Sequence, residues 1–324
     1  VILGLVEHDR GRLNERSLEA LTLGRRLAQR LGAPLHAVLL GAEARPLAAP
    51  LAAYGVTAAH VVEHDRLGDY APGAWAGGIV AVMEAEHAQA VLASGTERGN
   101  EVLAHLGART GLAMAANCTE VEPGESWVVT RLRWGGSLLE EARLAGAVKL
   151  LTLAPHAIPP EESPSAGAVA IKSVTPALTE ADLRVRVTGR IDAARGGVAL
   201  ADARVVVSGG RGVGSPEGFK VLEELAGLLG AAVGCSRVAT SLGWRPHADQ
   251  VGQTGTRVAP ELYIACGVSG AIQHLVGCKG AKRILAINTD PEAPMVARAD
   301  YAIIGDLHAV LPALIAEIRK TRSA

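Results

Sequence analysis

The stretch from Gln250 to Asp290, QVGQTGTRVAPELYIACGVSGAIQHLVGCKGAKRILAINTD, constrains the fold more than any other part of the chain. Leu262-Tyr263-Ile264-Ala265-Cys266 is a short apolar run, Gly267-Val268-Ser269-Gly270 reads as a tight turn, and Ala271 to Val276 has helical composition with a stop at Gly277. The order is strand, turn, helix. The first turn of a helix leaves backbone N–H groups without carbonyl partners and carries the positive end of the macrodipole, so a phosphate is stabilised there. Ser269 and Gly270 would cradle it. A further run, Ile284 to Ile287, ends in Asn288, and another, Tyr301 to Ile304, ends in Gly305-Asp306 ahead of a helical pattern from Leu307 to Ile318. In a parallel α/β sheet such polar strand ends gather at the carboxyl edge, where ligands bind.

The same alternation runs through the rest of the chain. The N-terminal part reads as a strand over Val1 to Val6, a helix over Asn14 to Leu31, a strand over Leu35 to Leu40 and a short helix over Arg45 to Tyr54. There follow a strand over Ala58 to Val62, a helix over Gly73 to Ala88, a strand over Ala90 to Ala93 and a helix over Asn100 to Thr110. Repeated βα units imply a parallel sheet covered by helices, with the opening strand near its middle. Trp127 to Trp134 alternates apolar and polar residues, and Val148 to Leu153 is apolar. After the irregular, proline-rich stretch from Pro155, Ala168 to Val174 and Leu183 to Val187 read as strands returning to a sheet. The connection from Thr188 to Leu200 marks a domain boundary. A second series begins with the strand and glycine turn of Arg204 to Gly212 and a helix over Pro216 to Leu229. The expected fold is α/β in two domains, 1–190 and 191–324, each a mostly parallel sheet flanked by helices, the second Rossmann-like. A chain of 324 residues with 49% hydrophobic content can fill two such cores.

Composition removes several functions. A formal charge of −1 offers no long-range attraction for nucleic acid or an anionic membrane. No apolar run approaches the ~20 residues a spanning helix needs, and the N-terminus lacks a signal-peptide layout, so a soluble intracellular protein without membrane insertion is expected. The cysteines, Cys118, Cys235, Cys266 and Cys278, are scattered without metal-like spacing and read as small buried hydrophobes. Aromatics make up only 3%, so a planar cofactor would more readily meet an arginine than an aromatic sandwich.

Two motifs have plain alternatives. His60-Val61-Val62-Glu63-His64 spells the inverted zincin pattern HxxEH, which works only on a helix. Here the context is a strand, which would hold the two histidines ~13 Å apart, and zinc is not expected from this pair. Ser94-Gly95-Thr96-Glu97-Arg98-Gly99 lies between a strand and a helix, and fits either a phosphate site or a polar turn with a helix cap. Gly210, Gly212 and Gly214 do not match the GxGxxG fingerprint.

The block APELYIACGVSGAIQHLVGCKG, with AIN and DPEAP after it, resembles the signature of the electron-transfer flavoprotein alpha subunit. The resemblance extends back through VVVSGGRGVG (Val205 to Gly214), GCSR (Gly234 to Arg237) and QVGQTG (Gln250 to Gly255), covering most of the last third in order. It implies a C-terminal domain that holds FAD non-covalently. By that resemblance Ser236 and Arg237 lie at the flavin, the guanidinium over the isoalloxazine. A permanently charged plane there favours a ring that gains negative charge on reduction. It likewise places the Thr254 hydroxyl near N5, with Gln250, Val251, Gly252 and Gln253 along the ring, and His274 against the C2 carbonyl, with Gln273 beside it. Ser269, Gly270, Ala271 and Ile272 would hold the phosphates. Arg211, Asn288, Asp306 and Leu307 would line the path of pyrophosphate, ribose and adenine, although Asp306 is equally good as a helix cap.

The family works as a heterodimer with a beta subunit carrying AMP or a second FAD. The resemblance implies electron transfer from acyl-CoA or other dehydrogenases, as in fatty acid β-oxidation, to a quinone oxidoreductase. It also implies that the first domain, like a nucleotide-binding fold, mainly packs on the partner. No GxSxG, Ser/His/Asp grouping or paired carboxylates stand near the expected site, which points to a carrier. The alternatives are an enzyme, flavin- or nicotinamide-dependent, with its own substrate, a nucleotide-binding module, or a bifurcating member of the same family. Bacterial cytoplasm is the expected location, ahead of the mitochondrial matrix.

Overall fold

The computed structural model describes residues 1–165, 167–189 and 199–323. The chain forms two compact units, Val1–Ile191 and Asp192–Ala324. The domain boundary expected at 190/191 lies outside the described residues.

The first unit is built on a nine-stranded sheet. Its strands are β1 (Ile2–Val6), β4 (Leu35–Leu40), β5 (Ala58–Val62), β6 (Ala90–Ser94), β7 (Met114–Glu122), β8 (Trp127–Arg133), β9 (Leu138–Leu144), β10 (Lys149–Leu153) and β11 (Ala170–Val174). Two short strands, β2 (His8–Asp9) and β3 (Arg12–Leu13), form a separate hairpin. The order β11-β5-β4-β1-β6-β10-β7-β8-β9 is parallel from β11 to β7, and β7, β8 and β9 continue it as an antiparallel meander. β1, β4, β5 and β6 are buried along their whole length, as a sheet covered on both faces requires.

Helix α1 (Arg16–Leu31) covers one face, with Leu21 and Leu27 packed with Ile2 and Leu39. It ends at Gly32, whose left-handed conformation (φ 59°) returns its N–H to Ala28 and Gln29. Helices α2 (Pro72–Ala85) and α3 (Glu97–Thr110) cover the other face with Leu3, Leu5, Val38 and Val91.

Several expectations are corrected. Arg45 to Tyr54 is not one helix but two 3-10 segments, 42–47 and 49–54, because Pro46 and Pro50 deny the chain two helical donors. Leu183 to Val187 is no strand. Its alternation has no neighbouring strand to pair with; Leu183 ends a 3-10 turn whose Asp182 caps Thr179 and pairs with Arg109. The meander strands β7 and β9 were not read from the sequence.

The turn after β6 is a cap. Thr96 Oγ1 accepts from the Gly99 N–H (2.9 Å) and donates to the Glu7 carboxylate (2.7 and 2.8 Å). Glu7, only 2% exposed, thus fills the N-terminal end of α3 with a carboxyl group of the chain's own. Burial pushes its pKa up to about 7, against the pull of Thr96 and Arg98.

The second unit is a five-stranded, all-parallel sheet in the order β13-β12-β14-β15-β16. These strands are β12 (Val205–Gly209), β13 (Ala232–Cys235), β14 (Leu262–Cys266), β15 (Ile284–Asn288) and β16 (Tyr301–Ile304). The helices are α4 (Phe219–Leu229), α5 (Arg237–Ser241), α6 (Ile272–Cys278), α7 (Pro294–Arg298) and α8 (Leu307–Ser323). The chain leaves β12 to one side for β13 and returns to its other side for β14. The topological switch point of this doubly wound sheet is therefore between β12 and β14, the place where such sheets open a crevice. Gly277 does not stop α6, which continues through Cys278. A Cβ at Gly277 would stand 2.3 Å from the Gly252 nitrogen, so the residue is glycine because a loop lies against the helix there.

Candidate functional site

The crevice at the switch point is a cavity of about 670 Å³, within the range of about 300–1,000 Å³ usual for small-molecule sites. Its floor is two loops in backbone contact. Gly210 N–H donates to the Cys266 carbonyl (2.9 Å) and Gly212 N–H to that of Gly267 (3.0 Å). A Cβ on Gly210 would lie 2.3 Å from the Gly267 oxygen, and Gly267 itself is left-handed (φ 61°). No other residue type lets these loops meet so closely.

Onto this floor the elements bring residues from five places. Arg211 comes from the loop after β12, and Ser236 and Arg237 from the junction of β13 and α5. Gln250, Val251, Gly252, Gln253 and Thr254 form the loop that lies on α6, with the Gln253 N–H donating to the Gln273 carbonyl (2.7 Å). Ser269, Gly270, Ala271, Gln273 and His274 follow β14, and Asn288 ends β15. Arg237, Thr254 and His274 thus line one cavity with the Ser269-Gly270 turn. Three expected residues do not line it: the Ile272 side chain is 74% exposed, Asp306 accepts from the His308 N–H at the start of α8 (2.9 Å), and Leu307 is buried in the core.

Hydrogen bonding prepares several of these groups. Gln250 is 2% exposed; its Oε1 accepts from Thr240 Oγ1 (2.7 Å) and its Nε2 donates to Thr254 Oγ1 (3.0 Å). Because Thr254 already accepts, its hydroxyl hydrogen is left to donate to a ligand. Asn288 ties two strand ends together, donating to the Val268 carbonyl (3.0 Å) and accepting from the Asp290 N–H (3.1 Å).

His274 is 6% exposed, and burial lowers its pKa to about 4, so the ring is neutral. Its Nε2 lies 2.8 Å from the hydroxyl of Tyr263, which is wholly buried on β14 and held protonated by desolvation. If Nε2 carried the proton, the Nδ1 lone pair would be buried without a partner and the phenol hydrogen would be left to a weak contact with Ser208, whose Oγ makes no hydrogen bond of ordinary length. With the phenol donating to Nε2, only the Nδ1–H lacks one, and that arrangement is favoured. Nδ1 of His274 and Oγ of Ser236 are buried side-chain atoms without a partner on residues that line the cavity, the kind of group a polar ligand would satisfy.

The sequence reading missed Gly210, Gly212, Val238, Ser241, Leu242, Gly267, Val268, Thr289, Asp290 and Ala293 in the wall. Helical spacing from Arg237 could have given Val238, Ser241 and Leu242, which lie on or just after α5. Val238 (41% exposed) and Leu242 (55%) provide the apolar wall that a flat ring requires. The α6 helix has only seven residues, so its dipole is weaker than the sequence suggested.

Fold and site together are those of a doubly wound α/β protein with a ligand-sized crevice at its switch point, the class that takes phosphate-bearing nucleotides. Residues 2–179 match the electron transfer flavoprotein domain and residues 199–279 the electron transfer flavoprotein FAD-binding domain. The chain is similar to the electron transfer flavoprotein subunit alpha of Syntrophomonas wolfei, at 39% identity over 90% of this chain and 92% of that protein. It is also similar to that of Bacillus subtilis (36%, covering 99% and 97%) and to Protein FixB of Clostridium saccharobutylicum (37%, covering 98% and 96%). The chain belongs to the electron transfer flavoprotein family as an alpha subunit, a flavoprotein electron carrier rather than an enzyme, with FAD as its cofactor.

Proposed function

We propose that this chain is the FAD-holding half of a heterodimer with an electron-transfer flavoprotein beta subunit. The complex takes electrons from acyl-CoA or other flavin dehydrogenases and delivers them to a quinone oxidoreductase or a similar acceptor in the bacterial cytoplasm. No helix among the described residues is long and apolar enough to cross a membrane. The observation that carries the reading is the convergence of Arg237, Thr254 and His274 with the Ser269-Gly270 turn on one cavity.

FAD, when bound, supplies the redox chemistry, accepting and releasing electrons in single steps. The chain's residues bind it and set how readily its ring carries negative charge. The turn amides around Ser269 and Gly270, with the Arg211 guanidinium, neutralise the phosphates. Among the described residues neither the Arg211 nor the Arg237 guanidinium has an ion-pair or hydrogen-bond partner, so both are available to a ligand. Arg237 presents a flat permanent cation to the ring. Thr254 offers a hydroxyl hydrogen that Gln250 has oriented, and His274 holds a proton at Nδ1. Thr254 and His274 would offer these donors to a ring that gains negative charge, without giving up a proton to it.

The test is to produce the chain together with its beta subunit and record the absorption spectrum, then repeat it with His274→Gln. Wild type should carry one flavin in this cavity, with a ring potential that falls in the variant. A colourless complex, or flavin bound equally well after the Ser269-Gly270 turn is replaced, would overturn the reading. The isolated chain should hold FAD more weakly than the heterodimer does.

A further inference from the structure

The HxxEH pair of the sequence does not converge, since His60 lies on β5 and His64 beyond its end, where it accepts from the Arg66 N–H (3.1 Å). His60 instead meets His36 across the sheet. In the parallel register Val38 is opposite His60, so His36 on β4 is the diagonal neighbour on the same face. His36 Nδ1 and His60 Nε2 are 3.3 Å apart. Glu86, just past the last residue of α2, sets one carboxylate oxygen beside each ring: its Oε2 is 3.4 Å from His36 Nδ1 and its Oε1 is 3.6 Å from His60 Nε2.

We propose that His36, His60 and Glu86 bind one divalent first-row transition-metal ion of the zinc class. Zinc takes its nitrogen and oxygen ligands at about 2.0–2.2 Å, and the edge of a tetrahedron is about 1.63 times the bond, so neighbouring donors stand about 3.3–3.6 Å apart. The two nitrogens stand one such edge apart (3.3 Å), each faces its own Glu86 oxygen at 3.4 or 3.6 Å, and one donor atom from each residue lies within 4.8 Å of the other two, so a small turn of the carboxylate brings a single oxygen to both edges, with the fourth position left for water. Two imidazoles and one carboxylate suit zinc or cobalt rather than magnesium or calcium.

Protons do not explain the cluster as well. A proton shared between the two ring nitrogens uses the hydrogen of one and the lone pair of the other, and leaves no hydrogen directed at the carboxylate oxygens beside them. A proton on each nitrogen satisfies Glu86 but sets two N–H groups against each other at 3.3 Å. One cation among the three donors satisfies all three edges. His36 and His60 are 9% and 2% exposed, so the cost of a poor arrangement is high. Lys172, on β11 opposite His60, donates to Glu86 Oε1 (2.8 Å), and its half-exposed ammonium opposes a second cation. The ion would staple β4, β5 and the end of α2.

The experiment uses the untagged full chain, stripped with chelator and titrated with Co(II) and then Zn(II). One Co(II) per chain should give the visible bands of a four-coordinate site, and Zn(II) should displace it and raise the melting temperature. Glu86→Gln and His60→Gln should each weaken binding at least ~100-fold, since even the loss of an outer partner of a metal ligand costs about 10–100-fold. Lys172→Met, which removes the opposing charge and no ligand, should tighten binding several-fold. The proposal fails if no one-to-one binding occurs at micromolar metal, or if folded Glu86→Gln binds as wild type does. Should both ligand variants unfold, an unchanged or weaker affinity in Lys172→Met overturns it equally.

Discussion

Replacing Tyr263 with Phe tests whether the protein sets the proton of His274. The phenyl ring refills the volume of the phenol, so no cavity is left and the change is confined to one hydroxyl. That hydroxyl lies 2.8 Å from Nε2 in a site where Tyr263 is 0% and His274 6% exposed. Its loss leaves a buried ring nitrogen without its donor, at a cost of about 1–3 kcal/mol. The same quantity separates the two proton arrangements in the wild type, a preference of roughly 5- to 150-fold for Nδ1–H. In Tyr263→Phe each tautomer leaves both ring nitrogens unpartnered, so the preference should collapse towards that of free imidazole. Nitrogen NMR of the chain labelled at histidine, with His274 identified by its loss in His274→Gln, reads this directly. Wild type should show a protonated Nδ1 and a hydrogen-bonded, unprotonated Nε2 that do not titrate between pH 8 and pH 5, because burial holds the pKa at about 4. The variant should show averaged shifts, a lower denaturation midpoint and a lower potential of the bound flavin. Unchanged nitrogen shifts, with stability within about 0.5 kcal/mol, would refute the assignment of the donor.

Other residues give sharper yes-or-no outcomes. Glu7 has a folded pKa of about 7 against an ordinary 4.5, so the stability it contributes is complete below pH 4.5 and is lost as pH rises through 7. The loss is about 3 kcal/mol at full charge, and Glu7→Gln should remove that slope from chemical denaturation between pH 5 and pH 8. Gly270→Ala places a Cβ 2.3 Å from the Met295 nitrogen at a φ of +85°, so the turn must shift, and flavin loading measured by absorbance should fall about tenfold or more. Arg237→Ala should lower the flavin potential in a spectroelectrochemical titration, and Arg237→Lys should restore it only in part, because an ammonium lacks the flat face. An unchanged potential in Arg237→Ala would remove its role.

What the sequence disclosed follows from physical locality. Four strands of the second unit, β12, β14, β15 and β16, were read nearly to the residue because each is an apolar run closed by glycine or a polar residue, and the ligand edge followed from those polar strand ends; the four-residue β13 was too short to read. The long strand β7 was missed because its register shifts between Cys118 and Glu120 and Asn117 is left-handed (φ 55°), which spoils the alternation. β9 reads LLEEARL and is mostly exposed, so its apolar pattern carries no signal of burial. Leu183 to Val187 alternated without a partner strand and misled. The cavity residues on loops were found through the resemblance, whereas Val238 and Leu242 look like ordinary surface positions until the crevice is built. The His36, His60 and Glu86 cluster was invisible because it joins two strands and a helix end, while the chain spelled a motif around the wrong second histidine.

The carboxylate that Glu7 inserts beneath α3 has a thermodynamic consequence. A group tethered by the backbone competes at an effective concentration of millimolar or more, whatever the surroundings hold. A dissolved anion seeking the same helix end must displace a neighbour that never diffuses away. Two units with similar architecture are thereby given different fates: one keeps its crevice for a visitor, and the other has closed the equivalent door from inside.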